Sequence, residues 1–340
     1  MTGKVQDYKV REIDEENRVI RFDPTRHGKI TGSRFYAVLG QDQYTSEFAA
    51  ACGIARIYSD YEETKYTKAG EAIEPIIRDY IDANGYGLLE DRLNLSSIDR
   101  VRVERPVSKD DCGYDHFKND PVFGGMVDGY VKVNGRRRAI LEIKTASNRQ
   151  KWVDSEGNVC RVPENYILQA SLYAELSDLD EIVFAVGFLD EDDYDHPKDW
   201  KVREDNFYIV TMMKKDISEE MDYGRRWFQR YIVSGVTPQW TERDREIVDQ
   251  FHIKKLDFVS GNLTELIRLY ASTGDESLEP KIKESLESMV TGNMKGLEYH
   301  QNGMTFMLTP NESLDIERMK ADGIYEKYLK KGFDMSVTKD

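Results

Sequence analysis

The stretch of sequence that decides the fold is residues 123–146, which read FGGMVDGYVKVNGRRRAILEIKTA. Two largely apolar runs, 123–133 and 138–145, flank Asn134-Gly135, a dipeptide that strongly favours a tight hairpin turn. We therefore predict two antiparallel strands joined at this turn.

Away from the turn, these apolar strands carry charged residues at Asp128 on the first strand and at Glu142 and Lys144 on the second. Because side chains alternate along a strand, Glu142 and Lys144 share one face. A charged pair framed by buried strand residues is costly unless something binds it. Carboxylates are the oxygen ligands that Mg²⁺ favours. A metal held there could clamp a phosphate and acidify a water, while Lys144 stabilises the developing charge. The alternative is a surface salt bridge at a strand end.

The register of this hairpin decides whether Asp128 and Glu142 can share a metal. A plain two-residue turn would place Asp128 opposite Leu141, on the face away from Glu142. A three-residue loop with a bulge would place Asp128 opposite Ile140 and diagonal to Glu142. A bulge elsewhere in either strand, for instance at Gly129, would serve equally well.

Helical and strand patterns alternate around the hairpin. An apolar stripe predicts a helix over 67–81, in which Pro75 predicts a kink or a late start. Pro163 opens a helix over 164–176, and 182–189 is typical of a buried strand. These elements predict an α/β fold with a central mixed β-sheet flanked by helices. The other predicted elements are a strand and loop over 1–25, helices over 31–39, 45–57 and 216–233, and strands over 101–107 and 207–212.

Towards the C-terminus the pattern changes. Residues 241–260 are charged and helical, Asn302-Gly303 is a second hairpin signal, and a last helix is predicted over 316–331. We predict two domains, a core over 1–237 and a mostly helical extension of unknown role over 238–340.

Net charge and cysteine content limit the kinds of function that this chain can have. A net charge of −15 is unusual for a DNA-binding protein, although only the DNA-facing surface needs to be positive. Basic runs occur at 136–138, 214–215 and 225–226, where solvated faces are the simpler interpretation. The 3 cysteines form no CxxC pair, which favours a reducing cytoplasm and argues against a zinc or iron–sulfur site. No signal peptide or membrane span is expected.

Five segments follow one another along the chain: Arg26-His27-Gly28-Lys29-Ile30-Thr31-Gly32-Ser33, Gly70-Glu71-Ala72-Ile73-Glu74-Pro75, Gly125-Met126-Val127-Asp128-Gly129, Leu141-Glu142-Ile143-Lys144-Thr145, and Trp152 with Val162-Pro163-Glu164-Asn165-Tyr166-Ile167-Leu168-Gln169. In this order they resemble the lambda exonuclease and YqaJ-type viral recombinase family of PD-(D/E)xK nucleases. The resemblance covers roughly residues 24–235, and Val127 stands where the family name implies proline.

The resemblance implies a restriction-endonuclease-like core with a metal site. Asp128, Glu142 and the backbone carbonyl of Ile143 would hold the metal, with Glu74 as a further acidic ligand, direct or through water. The alternative for Glu74 is an ordinary helical ion pair with Arg78, one turn along its helix. Gln169 would contact water, the lysine or DNA; its alternative is a polar residue on a half-buried helix.

The resemblance also implies sites for the DNA end. Arg26 and Ser33 look like a pocket for a terminal 5′ phosphate, which suits the guanidinium fork and the free N–H groups of a helix start. Capping of the helix is the alternative for Ser33. Trp152 would stack on a base or anchor the predicted hairpin over 152–160. Tyr166 and Tyr173 fit the core better than catalysis.

The expected activity is Mg²⁺-dependent 5′-to-3′ exonuclease action on linear double-stranded DNA ends, leaving 3′ single-strand overhangs, with Mn²⁺ able to substitute. By analogy, the protein would form a ring-shaped homotrimer and work with a single-strand annealing protein. The alternatives are a related endonuclease, a non-catalytic DNA-end binding module, and a structural protein, which would leave the ordered motifs unexplained.

Overall fold

The computed structural model describes residues 4–5, 9–59, 63–154, 156–256, 261–290, 294–301, 303–314 and 329–339. The chain divides into two compact units, 1–239 and 240–340. In the described ranges, no helix is long and apolar enough to cross a membrane.

The first unit alternates strands and helices along the chain. Its strands are β1 (Lys4–Val5), β2 (Val10–Asp14), β3 (Val19–Phe22), β4 (Ile30–Thr31), β5 (Tyr58–Ser59), β6 (Val101–Glu104), β7 (Phe123–Gly124), β8 (Gly129–Val133), β9 (Arg136–Ala146), β10 (Glu181–Phe188) and β11 (Phe207–Met213). Its helices are α1 (Gly32–Val38), α2 (Glu47–Ala55), α3 (Lys65–Leu89), α4 (Lys109–Cys112), α5 (Glu164–Leu176), α6 (Glu191–Asp195) and α7 (Ser218–Trp227), which continues as a π-helix (Phe228–Val233).

The central sheet has the strand order β11-β10-β9-β8-β6. Strand β9 pairs antiparallel with β8 and parallel with β10, so the sheet is mixed. Leu141 and Ile143 point to the face that α3 covers and share its core cluster. The opposite face carries Glu142, which is bonded to α5 through Gln169. The predicted α/β architecture is confirmed.

Helix α3 positions one of the predicted acidic residues. It begins after Thr64, which forms a capping box with Thr67, and runs for 25 residues through Pro75. The late start predicted for Pro75 is therefore wrong. The stripe of Ile73, Ile77 and Ile81 is fully buried against the sheet, which outweighs the one backbone hydrogen bond that proline removes.

The hairpin reaches the required register by a different route from the three-residue loop. Asn134 and Gly135 have φ values of 51° and 82°, as a two-residue turn with a left-handed backbone requires. The pairs Val131↔Ala139 and Lys132↔Arg137 leave one residue, 138, unpaired as a bulge. This bulge shifts the register by one residue and makes Gly129 pair with Leu141. The residue before Gly129, Asp128, therefore lies beside Glu142.

Three predicted elements of the first unit differ in extent. The strand predicted over 123–133 is divided, because β7 pairs in parallel with β4 while β8 belongs to the main sheet. The strand predicted over 101–107 ends at Glu104. The helix over 216–233 begins at Ser218 and changes to π geometry at Phe228.

The second unit contains α8 (Arg245–Phe251), α9 (Asn262–Thr273) and α10 (Glu279–Glu287), with strands β12 (Ile253–Leu256), β13 (Gly296–Gln301), β14 (Met304–Leu314) and β15 (Leu329–Lys339). The four strands form one sheet in the order β12-β13-β14-β15. The extension is therefore a mixed helix-and-sheet unit, and the expectation that it is mostly helical is wrong.

Two helix predictions in this unit need correction. The helix over 241–260 stops at Phe251 and a strand follows, while 257–260 lie outside the described residues. The helix over 316–331 falls mostly on 315–328, also outside them, but Leu329–Lys331 begin β15, which pairs with β14. Phe333, Met335 and Val337 pack against this unit's core at a spacing of two, the pattern of a strand. The second Asn-Gly turn includes Asn302, outside the described residues.

Candidate active site

Glu142 occupies the centre of the site, on the innermost part of the sheet. Its side chain is 1% exposed. Its Oε1 accepts a hydrogen bond from Gln169 Nε2 at 2.7 Å and lies 2.6 Å from Lys144 Nζ. Its Oε2 is buried and has no hydrogen-bond partner. An ionised carboxylate oxygen left in this state is expensive and suits a ligand that brings positive charge.

Asp128 lies beside Glu142 and is fixed by backbone contacts. Its Oδ2 accepts a hydrogen bond from the N–H of Ile143 at 2.7 Å. Its backbone carbonyl accepts one from Arg78 Nε at 2.8 Å. Strand β9 therefore fixes the carboxylate of Asp128, and α3 fixes its backbone carbonyl. Both contacts keep Asp128 at the position that the register of the hairpin gives it.

Glu74 joins the same cluster from α3. Its carboxylate forms an ion pair with Arg78, one turn along the helix, so the helical pair considered as its alternative is present. The same arginine also binds the carbonyl of Asp128, and Glu74 lies close enough to Asp128 to repel it. Sequence reasoning assigned Arg78 only to the helical pair; its bond to Asp128 depends on tertiary packing.

Lys144 is held by three side chains around its ammonium group. Besides Glu142, Gln169 Oε1 lies 3.5 Å from Nζ, and the ring centroid of Tyr166 lies 4.6 Å away. Such a cation–π contact stabilises a desolvated ammonium. Tyr166 is half-buried and is stacked on Trp152 with centroids 5.8 Å apart. Sequence reasoning placed Tyr166 in the core and missed this contact.

The electrostatics of the cluster follow from packing carboxylates together in a buried place. Burial raises the pKa of Glu142 to about 8, with repulsion from Asp128 adding to the effect of burial and Lys144 opposing it. Burial and repulsion from Asp128 likewise raise the pKa of Glu74 to about 7. The pKa of Asp128 is also raised by burial, against the attraction of Lys144. Burial lowers the pKa of Lys144, but Glu142 and Asp128 outweigh it and the pKa rises overall.

The donor set fits a divalent cation. Among the described residues, no three His, Cys, Asp or Glu side chains form a ready-made metal cluster, since Glu74 is turned to Arg78 and Glu142 to Lys144. Yet Glu142 Oε2 lacks a partner, and the carboxylates repel one another. A hard cation would relieve both costs, and it prefers oxygen ligands.

The residues expected to bind a 5′ phosphate, Arg26 and Ser33, are both exposed. Helix α1 begins at Gly32 with Thr31 as its N-cap, so Ser33 is inside the helix and its hydroxyl bonds to Thr31 Oγ1 at 3.0 Å. Ser33 is therefore not the N-cap of α1, and the capping alternative for it is wrong.

A cationic cavity of about 320 Å³ lies in this region, and Arg26 and Ser33 are not among its lining residues. Its lining contains several basic side chains, and the other lining residues are Thr31, Tyr114, Asp115 and glycines. Lys29 in this wall is neutralised by Asp115 at 2.8 Å. Its basic residues are His27, Lys29, Arg34, Arg56 and Lys118. Sequence reasoning missed Arg34 and Arg56, which come together only through the packing of α1 and α2.

Trp152 is buried rather than presented to solvent. Its side chain is 1% exposed and packs with Val186 and Phe188. Val153 and Val159 form an isolated antiparallel bridge, so the segment after Trp152 returns on itself as expected. This burial fits the anchoring alternative for Trp152.

The basic runs are largely neutralised by acidic neighbours. Ion pairs join Arg137 to Glu104, Arg138 to Glu181, Lys214 to Glu175, Lys215 to Glu164 and Arg225 to Asp120. These runs are therefore solvated, paired surfaces, the simpler of the two interpretations.

Comparison with known proteins identifies the family. The family described as the YqaJ-like viral recombinase domain matches residues 21–180. A relative, "Uncharacterized protein MG373" of Mycoplasma genitalium, is 30% identical over 254 residues, which cover 64% of this chain and 85% of the relative. Its homolog in Mycoplasma pneumoniae is 28% identical over 255 residues, with the same coverage.

Two exonucleases are among the solved structures that show some similarity to this chain. An alkaline exonuclease from Laribacter hongkongensis is 18% identical, covering 60% of this chain and 88% of its own, with a TM-score of 0.40. A phage-related exonuclease from Haemophilus somnus is 14% identical, covering 62% and 92%, with a TM-score of 0.39. The family match supports a phage-type exonuclease. The chain belongs to the lambda exonuclease and YqaJ-type viral recombinase family.

Proposed function

We propose that this protein is a Mg²⁺-dependent 5′-to-3′ exonuclease that degrades linear double-stranded DNA from its ends and leaves 3′ single-strand overhangs. The observation that carries the proposal is Glu142: a carboxylate 1% exposed, on a central strand, with one oxygen unpartnered. Asp128 beside it and Lys144 at 2.6 Å supply the rest of a phosphodiester-hydrolysing site.

Asp128, Glu142 and the carbonyl of Ile143 are the proposed metal ligands, with Glu74 as a further ligand, direct or through water. A divalent cation bound there would polarise the scissile phosphate and lower the pKa of an attacking water. Mn²⁺ offers similar oxygen coordination and should substitute. Binding would require Glu74 to turn away from Arg78, which already contacts the carbonyl of Asp128.

The protein's own residues orient the reaction. Lys144 is confined between Glu142, Gln169 and Tyr166, so its ammonium group is pre-positioned to donate to the attacking water or a phosphate oxygen. A fixed positive charge in a half-buried place stabilises the charge that develops in the transition state without reorganisation. Gln169 donates to Glu142 Oε1 and so leaves Oε2 for a ligand.

The preference for a 5′ end is assigned to Arg26 and Ser33, aided by the cationic cavity beside them. Arg34 and Arg56 in that cavity present guanidinium groups, which suit phosphate. A ring-shaped homotrimer and a single-strand annealing partner are proposed from the family resemblance, and light scattering of the purified chain tests the trimer.

The experiment that tests the proposal is digestion of linear duplex DNA beside closed circular DNA. Linear substrates carry 5′-phosphate or 5′-hydroxyl ends, and each reaction contains Mg²⁺ or EDTA. The variant is Lys144→Ala. Its matched control is Lys132→Ala, which removes a lysine of the same sheet that is paired with Glu104 at 3.2 Å and not with Glu142.

We expect Mg²⁺-dependent loss of linear DNA only, faster with a 5′ phosphate, abolished by Lys144→Ala and kept by Lys132→Ala. Cutting of the circle would make the protein an endonuclease. Retained end binding with no hydrolysis under any condition would leave a DNA-end binding module and contradict the enzyme.

A further inference from the structure

An aromatic cavity lies beside the carboxylate cluster. Its volume is about 750 Å³, within the range of small-molecule sites. Its lining includes Thr145, Asn148, Lys151 and Asn165. Six aromatic side chains share the lining: Tyr36, Tyr44, Tyr66, Tyr166, Tyr194 and Trp152.

The cavity shares a wall with the active site. Tyr166 lines it while its ring also lies 4.6 Å from Lys144 Nζ. Thr145, directly after Lys144, lines it as well. Trp152 stacks on Tyr166 with ring planes 29° apart. A strand whose phosphate contacts Lys144 would therefore have its neighbouring nucleotide next to this cavity.

The rim of the cavity carries aromatic rings exposed to solvent. Tyr44 is 85% exposed and Tyr66 is 57% exposed. The backbone N–H of Tyr44 is fixed by Asp42 Oδ1 at 2.7 Å. Tyr66 packs edge-to-face on Tyr194 with centroids 4.9 Å apart. Both rings are thus attached to ordered positions while offering an open face, the arrangement of a stacking platform.

We propose that this cavity binds unpaired nucleobases of the DNA strand whose phosphate lies at Glu142 and Lys144. Every base has a π-face, so stacking on tyrosine is strong and tolerant of sequence. Amides such as those of Asn148 and Asn165 can both donate to and accept from base edges. A peptide would gain less, because this wall adjoins the phosphate-binding lysine. The inference rests on the proposed nuclease function and adds where the unpaired bases bind.

The test measures base stacking without turnover. The full chain in EDTA is titrated with a short single-stranded oligonucleotide containing 2-aminopurine, whose fluorescence is quenched on stacking. An oligonucleotide of the same length with abasic sites keeps the phosphates and lacks the bases. We expect Tyr44→Ala and Tyr66→Ala each to weaken binding of the base-containing strand about tenfold, and to leave binding of the abasic strand unchanged.

Conservative and control variants separate stacking from loss of fold. Tyr44→Phe and Tyr66→Phe retain the ring and should bind as the wild type does. Tyr223→Ala removes another tyrosine, 39% exposed and outside the cavity, and should also bind normally.

Equal binding of base-containing and abasic strands, or unchanged quenching in both alanine variants, would overturn the inference even if the protein hydrolyses DNA. Conversely, a wild type that quenches through Tyr44 and Tyr66 but never hydrolyses DNA would contradict the nuclease proposal and leave the base-binding site standing. The two failures are therefore distinguishable.

Discussion

Replacing Glu142 with glutamine should stabilise the metal-free protein while abolishing hydrolysis. The cluster contains three carboxylates, Asp128, Glu142 and Glu74, against two cations, Lys144 and Arg78. Ionised, it carries one excess negative charge in a buried place. Glutamine has nearly the same shape, removes that charge, and can still accept from Lys144 and Gln169 through its carbonyl oxygen.

The magnitude follows from the pKa of Glu142, raised from 4.5 to about 8. At pH 7 this carboxyl is therefore mostly protonated in the folded state and ionised in the unfolded chain. At about 1.36 kcal/mol per pKa unit, taking up that proton at pH 7 costs the fold roughly 3 kcal/mol. The variant also loses the attraction between Glu142 and Lys144, although Asp128 still attracts that lysine. We therefore expect a net gain of about 1–2 kcal/mol in the free energy of unfolding.

The assay is urea unfolding in EDTA at pH 7, followed by tryptophan fluorescence. Trp152, Trp200 and Trp227 are buried in the first unit and report on it. The control is Glu104→Gln, where hydrogen bonding to Arg137 lowers the pKa of the carboxyl. Glu104 stabilises the fold when ionised, so its replacement should lower stability at pH 7, the opposite sign.

The pH dependence has a definite sign. The folded-state pKa of Glu142 lies above its ordinary value, so the folded state binds the proton more tightly. Wild-type stability should therefore rise as the pH falls from about 8 towards 4.5, and the stability advantage of Glu142→Gln should shrink over this window.

Adding Mg²⁺ should stabilise the wild type and have little effect on Glu142→Gln. A free energy of unfolding that is lower in Glu142→Gln than in the wild type by more than about 1 kcal/mol, at pH 7 in EDTA, would refute the prediction. The cations around Glu142 would then compensate its charge without a metal.

Three further predictions concern the surroundings of the site. Gly32→Ala should destabilise the protein by about 1–3 kcal/mol in thermal unfolding, since an added Cβ would lie 2.8 Å from the Tyr173 ring; an unchanged midpoint would contradict the close packing. Arg56→Ala should reduce the rate preference for 5′-phosphate over 5′-hydroxyl ends at least as much as Arg26→Ala, because Arg56 lines the cationic cavity and Arg26 does not; an effect confined to Arg26→Ala would exclude that cavity as the phosphate site. Tyr166→Leu should lower kcat about tenfold by removing the cation–π contact with the active-site lysine, with recovery in Tyr166→Phe; equal losses in both would show that the ring is not what matters.

Local patterns were sufficient where the physical cause is local. Alternation along a strand placed Glu142 and Lys144 on one face, and the proline and apolar run at 163–176 predicted α5 with the bounds it has. The acidic pair framed by apolar residues predicted a cluster, because burying charges without a partner is costly.

Predictions failed where a contact joins distant parts of the chain. The bond from Arg78 to Asp128 spans 50 residues, and Tyr166 reaches Lys144 from another element. The strand β15 takes its structure from pairing with β14, which outweighs local helix preference in the residues where it begins.

The sequence by itself determined the family, the mixed α/β core and the chemical types at the site, since these depend on residue identity and short-range periodicity. Only the tertiary structure decided the register of the hairpin, through an unpaired residue at 138, and with it the meeting of Asp128 and Glu142. It also decided which cations and aromatic rings surround those carboxylates. The physical reason is that a bulge or a side-chain contact costs little locally, and its position is selected by the packing of the whole sheet against α3 and α5.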